Sequence, residues 1–175
     1  SVGRARAPGA RGLSTMARAP SPLDALLAEI RACRLCEAQL PLGPRPVLRA
    51  SATARLLVVG QAPGTLVHGS GIPWDDASGV RLRGWLGLDK AVFYDESKVA
   101  IVPMGFCYPG RGASGDLPPR PECRATWHPR LLPLLPKVEL VLAIGQYAQN
   151  GSFLGPNWWW INSACAAWPK GPNRY

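Results

Sequence analysis

The chain has 175 residues, 47% of them hydrophobic, which excludes a disordered polypeptide and suits one domain with its own core. A formal charge of +9 fits a partner that carries negative charge, nucleic acid among them, without singling one out. No apolar run approaches the roughly 20 residues needed to cross a bilayer, so no membrane-spanning helix is expected.

Residues 1–20 hold Arg4, Arg6, Arg11 and Arg18 and no acid, among Pro, Gly and Ala without periodicity. They read as a disordered basic leader. The apolar stretch of a secretory signal is missing, and the amphipathic pattern of an organellar targeting segment is weak. Five cysteines without an export signal point to a reducing, cytoplasmic setting, nucleoid-associated in a bacterium. Leu23, Leu26, Leu27 and Ile30 repeat at helical spacing after Ser21 and Pro22, which predicts a capped helix over residues 22–40. Residues 41–54 form a Pro-rich connection. Three apolar runs, at 55–60, 98–105 and 139–146, read as buried strands of a parallel sheet. Between the first two, residues 78–88 predict a helix on which Leu82, Trp85 and Leu86 share a face. Before the third, residues 122–132 predict another, with Pro129 at its start or at a kink. Strands alternating with helices mean an α/β fold. Residues 21–149 are taken as the domain, and residues 150–175, with three consecutive tryptophans and no period, as a divergent tail.

The first strand runs into GQAPGTLVHGSGIPWDDASG, residues 60–79. Ligands of open parallel sheets sit beyond the carboxyl ends of the strands. Gly60 and Gly64 let the backbone turn and approach a ligand, Pro63 stiffens the turn, and Gln61 carries both an N–H and a side-chain amide. The phosphate fingerprints are absent: there is no G-x-G-x-x-G and no Walker lysine. The plain alternative is a tight strand-to-helix turn. Trp74 either offers an aromatic face to a planar ligand or packs in the core. Asp75 and Asp76 either hold a water or cation or cap a helix near Ser78.

Cys33 and Cys36 form C-x2-C, and Cys107 and Cys123 flank a Pro- and Gly-rich loop. Four such thiols suit a [4Fe–4S] cluster or a structural zinc, whereas buried unliganded thiols are the plain reading. Cys165 stands apart in the tail. Of the two histidines, His68 falls in the candidate pocket loop and His128 reads as structural or exposed.

Together, CRLC, GQAPG, GIPWDDASG, GFC and PEC resemble the uracil-DNA glycosylase superfamily, and most closely its iron–sulfur branch, family four. The resemblance covers about residues 23–149. It implies a three-layer α/β/α fold with a four-stranded parallel sheet, its C-terminal part incomplete here. It also implies hydrolytic excision of uracil, or a related damaged base, from DNA; the sequence itself does not give the oligomeric state, and a monomer is the default expectation. By position, Gln61 and Ala62 fall near the base and the attacking water. Gly60, Pro63, Gly64, Trp74 and Asp75 fall around the base, with Trp74 where the family has a stacking Phe. Cys33, Cys36, Cys107 and Cys123 fall on the cluster ligands. The chain departs from the pattern at three points. Gln61 replaces a Glu, Pro103 replaces an Asn that reads the uracil edge, and the late H-P-S motif has no counterpart. A non-catalytic, metal-stapled nucleic-acid or nucleotide binder therefore stands beside the glycosylase reading. An electron-transfer protein would rest on the cysteines alone.

Overall fold

The computed structural model describes residues 19–150, so the basic leader and the divergent tail lie outside the described residues apart from a residue or two at their inner ends. The first helix, α1, spans Pro22–Arg31. The Ser21 hydroxyl oxygen accepts from the Asp24 N–H, and the Asp24 carboxylate accepts from the Ser21 N–H, so a reciprocal cap fixes the start. The helix stops well short of residue 40. Its apolar stripe ends at Ile30, and Leu35 is left 56% exposed, so nothing holds a further turn against the core. Cys33 and Cys36 consequently lie in the turn after the helix, ahead of a single 3-10 turn at Glu37–Gln39.

Strand β1, Leu56–Val59, is followed by helices α2 (Thr65–Ser70), α3 (Ala77–Leu86) and α4 (Lys90–Phe93), then by strand β2, Val99–Ile101. A short antiparallel hairpin, β3 (Arg111–Gly112) with β4 (Gly115–Asp116), precedes helix α5, Pro121–Leu131, which carries Pro129 within it. Strand β5, Leu140–Ala143, and helix α6, Gln146–Asn150, complete the described chain. β1 lies at the centre and pairs in parallel with both neighbours, Leu56 opposite Val99 on one side and Leu140 on the other. The sheet has three strands among the described residues, and the expected fourth is not among them. β2 is shorter than its apolar run, although single bonds from Val102 N–H to Val58 O and from Met104 N–H to Gly60 O continue along β1.

The alternation of strand side chains divides the core into two layers. Leu57, Val59, Ala100 and Val141 pack with Leu26 and Ile30 of α1 and Trp127 and Leu131 of α5. Val58, Val99 and Ile101 face the other way, onto Leu82 of α3 and Phe93 of α4. Helices therefore cover both faces of the sheet. Trp85 corrects the expected face of α3: it is 73% exposed, and the buried neighbour of Leu82 is Arg83. No helix among the described residues is long and apolar enough to cross a membrane.

The connection leaving β1 passes over one face and the connection leaving β2 over the other. Chains that part in this way open a crevice beyond the carboxyl ends of the two adjacent strands. The glycine loop lies there.

Candidate functional site

A hollow of about 510 Å³ occupies that crevice. It is lined by Gly60, Gln61, Ala62, Pro63 and Gly64 from the exit of β1, Pro103 from the exit of β2, and Ile144 and Gly145 from the exit of β5. Met104 N–H donates to Gly60 O at 2.9 Å and Gly105 N–H to Gln61 O at 3.0 Å, so the two loops stay stitched beyond the strands. The Gln61 and Ala62 N–H groups find no acceptor among the described residues. Backbone donors held on a rigid loop in a concave site are suited to an electron-rich ligand atom.

Trp74 forms a second wall. It has φ 59°, the left-handed region, and is the single non-glycine residue with positive φ among the described residues. For a bulky residue this costs about 1–3 kcal/mol, which the surrounding structure must hold. Its indole lies against Gly60, where an added Cβ would come within 2.9 Å of Cζ2. Its carbonyl lies over Gly79, where an added Cβ would stand 1.7 Å from the oxygen. Both glycines are thus places of close approach. Asp76 caps α3: its carboxylate accepts from the Gly79 N–H at 2.8 Å and from the Ser78 hydroxyl.

The third wall is the hairpin, with Ser114, Gly115, Asp116 and Leu117 at the rim. Gln61 Nε2 lies 3.5 Å from Leu117 O, the longest hydrogen bond of the site. Sequence reasoning missed this wall because the hairpin strands have two residues each. The available signal was the ASGD turn between Gly112 and Leu117. Asp75 does not line the hollow, and Asp76 and Ser78 do. His68 sits on α2, half-buried beside the Tyr108 ring at 6.3 Å and outside the lining. Burial and the nearby Arg45 hold its pKa down.

His128 is buried, not exposed, and it supports the floor of the pocket. Its Nε2–H donates to Pro103 O at 3.0 Å, and its ring stacks on Phe106 at 5.4 Å. Burial lowers its pKa to about 4, so the ring is neutral at neutral pH. A roomier groove of about 700 Å³ lies along α5, with Arg120, Arg124, His128 and Tyr147 on its walls. It contains none of the glycine-loop residues.

Cys33, Cys36, Cys107 and Cys123 line one small hollow, of about 20 Å³, together with Leu35, Leu40, Phe106, Arg120 and Trp127. None is in a disulfide. Desolvation raises the thiol pKa of Cys107 to about 11 and of Cys123 to about 12. The Phe106 N–H points its proton at Cys123 Sγ, 3.3 Å away. Two further donors of this lining, Trp127 Nε1 and Arg120 Nε, are buried and meet no acceptor among the described residues. No three His, Cys, Asp or Glu side chains among the described residues converge tightly enough to grip one metal ion.

The family model of the uracil DNA glycosylase superfamily matches residues 49–165, roughly two thirds of the chain. The match takes in all three strands of the parallel sheet and the pocket residues from Gly60 to Gly145, and it leaves Cys33 and Cys36 outside.

Proposed function

The chain belongs to the uracil DNA glycosylase superfamily, and on that footing we propose that it removes uracil, or a closely related damaged base, from DNA by hydrolysing the N-glycosidic bond. The carrying observation is the hollow of about 510 Å³ that gathers the Gly60–Gly64 loop, Trp74 and Pro103 at the carboxyl ends of adjacent strands. A base extruded from the duplex needs a narrow slot with one aromatic face and fixed polar groups at its edge. The Trp74 indole supplies the face. The Gln61 and Ala62 N–H groups supply donors near the base and the attacking water.

In the reaction the bond from the sugar carbon to the base nitrogen breaks with its electron pair on the base. The sugar carbon becomes positive and is captured by the water oxygen. The water's proton ends on the departing base or in solvent. Donors set before the reaction lower the energy of the leaving anion without reorganising. Pro103 offers no side-chain hydrogen bond at the base edge, so edge reading falls to Gln61 and to the polar groups of the opposite rim, Ser114 and Asp116.

We further assign the chain to the iron–sulfur branch, with Cys33, Cys36, Cys107 and Cys123 holding a [4Fe–4S] cluster. The donor chemistry supports this, since four soft thiols share one apolar hollow. The unmet donors of Trp127 and Arg120 suit an inorganic sulfide, which accepts hydrogen bonds. A structural zinc on the same four thiols is the alternative, and iron and zinc analysis of the purified protein separates the two. When bound, the cluster would fasten the turn after α1 to the segment after β2 and to α5. The chemistry at the pocket does not pass through it.

A second reading keeps the pocket and the staple but no excision. Pro103 favours it, because it removes a side chain that would read the edge. One experiment separates the two: the full chain is incubated with duplexes carrying uracil, hypoxanthine, xanthine or an oxidised pyrimidine, and abasic sites are scored. Excision of at least one base supports the glycosylase. Lesion binding without abasic sites supports the binder.

A further inference from the structure

We propose that Arg83 and Tyr94 are positioning residues that fix the angle of Trp74 in the pocket wall, and thereby set how sharply a displaced base is told from ordinary DNA. The proposal rests on the nucleobase reading of the pocket given above.

Arg83 is 7% exposed, a buried cation with no carboxylate within ion-pair distance among the described residues. Taking an unpaired guanidinium out of water is costly unless its donors are used. Arg83 Nη1 donates to Trp74 O at 3.2 Å and to Tyr94 Oη at 3.2 Å. Tyr94 Oη in turn donates to Pro73 O at 3.0 Å. The guanidinium also lies over the Phe93 and Tyr94 rings, 5.6 Å from each centroid. Arg49 also holds Tyr94, donating to its carbonyl at 3.2 Å and lying over its ring at 5.2 Å.

The two tethered carbonyls flank a single residue. The Pro73 carbonyl orients the peptide plane before Trp74, and the Trp74 carbonyl orients the plane after it. Fixing both planes fixes φ and ψ, which determine where the Cβ points. Trp74 is the residue that needs this, since its φ of 59° would relax without restraint. Neither Arg83 nor Tyr94 lines the hollow, so they act through the indole rather than on a ligand.

The test uses the full chain with Arg83→Met, Arg83→Lys, Tyr94→Phe and Trp74→Ala. The first readout needs no ligand: the indole N–H resonance of Trp74 in nitrogen-labelled protein, assigned by its loss in Trp74→Ala. It should move in Arg83→Met and Tyr94→Phe while the other tryptophan signals hold. The second readout is the affinity ratio between a duplex carrying a deoxyuridine whose fluorinated sugar resists cleavage and its undamaged counterpart. That ratio should fall about tenfold in Arg83→Met, the scale of one base–aromatic stack, and less in Tyr94→Phe. Arg83→Lys, which keeps a donor, should recover part of it. Affinity for the undamaged duplex should stay within about twofold, and Arg83→Met combined with Trp74→Ala should be no worse than Trp74→Ala alone. An unmoved indole in folded Tyr94→Phe, an equal loss for both duplexes, or additive losses in the double variant would overturn the proposal. A wild-type chain that binds both duplexes alike overturns the nucleobase reading and the discrimination role with it. The indole resonance still decides the clamp in that case.

Discussion

The pocket beyond β1 sets a glycine-rich backbone loop against one indole wall. Its shape comes from glycines at close approaches, a tethered pair of carbonyls and loop amides. The thiol hollow is assembled from four separate segments: the turn after α1, the connection at Pro44 and Pro46, the exit of β2, and α5 with its N-cap, three of which carry the cysteines. Yet one short run of chain serves both, with Pro103 in the first lining and Gly105, Phe106 and Cys107 in the second. His128 of α5 holds the Pro103 carbonyl and Cys123 of the same helix joins the thiols. Two sites built so differently should fail differently, and α5 is where a failure of one would reach the other.

The largest effect is expected at the hollow. Cys107→Ser should abolish any bound iron and its visible absorbance, and lower stability by at least about 4 kcal/mol if the cluster is the staple proposed. Iron analysis beside thermal unfolding checks it. An unchanged unfolding curve would mean that the thiols are ordinary core residues and would remove the contrast between the two regions. The next effect belongs to the pocket wall. Gly79→Ala places a Cβ against the backbone oxygen of Trp74, an atom that cannot swing aside. It should cost about 3 kcal/mol and displace the indole while leaving iron content untouched. Loss of iron in that variant would show that the two regions are one cooperative unit.

A smaller effect tests the link through α5. The folded pKa of His128, about 4, lies below its ordinary value of 6.5, so folding favours the neutral ring. The stability this contributes is complete above pH 6.5 and is lost as pH falls through about 4. Between pH 7 and 5 the loss amounts to about 2 kcal/mol. Denaturant unfolding across that range should show the slope in the wild type and a flatter one in His128→Gln. Equal slopes would mean that the ring does not bear on the floor of the pocket.

The two regions also differed in how far the sequence disclosed them. The three strands could be read because consecutive apolar residues mark strands buried on both faces, as Leu57 and Val58 are. The four cysteines could be read from their spacing, although the helical pattern over residues 22–40 takes in Cys33 and Cys36, which lie in the turn beyond the helix. The glycine loop and Trp74 could be placed at a strand exit. The left-handed backbone of Trp74 could not, because it depends on Arg83 and Tyr94, 9 and 20 positions further along the chain. The hairpin rim was hidden by its brevity and by turns that only Gly110 and Gly115, at φ 107° and 136°, make possible. Asp76 rather than Asp75 reaches the hollow, and the spacing from Asp76 to the Gly79 N–H, that of a helix cap, is the sequence signal for it.

Single-turnover excision of uracil from duplex DNA by the full chain and by Trp74→Ala, with undamaged-duplex affinity measured alongside, tests the nucleobase pocket most directly. The account predicts abasic product from the wild type, at least about tenfold slower product from the variant, and equal grip on undamaged DNA. Product formed equally fast by both, or a parallel loss of excision and plain DNA binding, would contradict it.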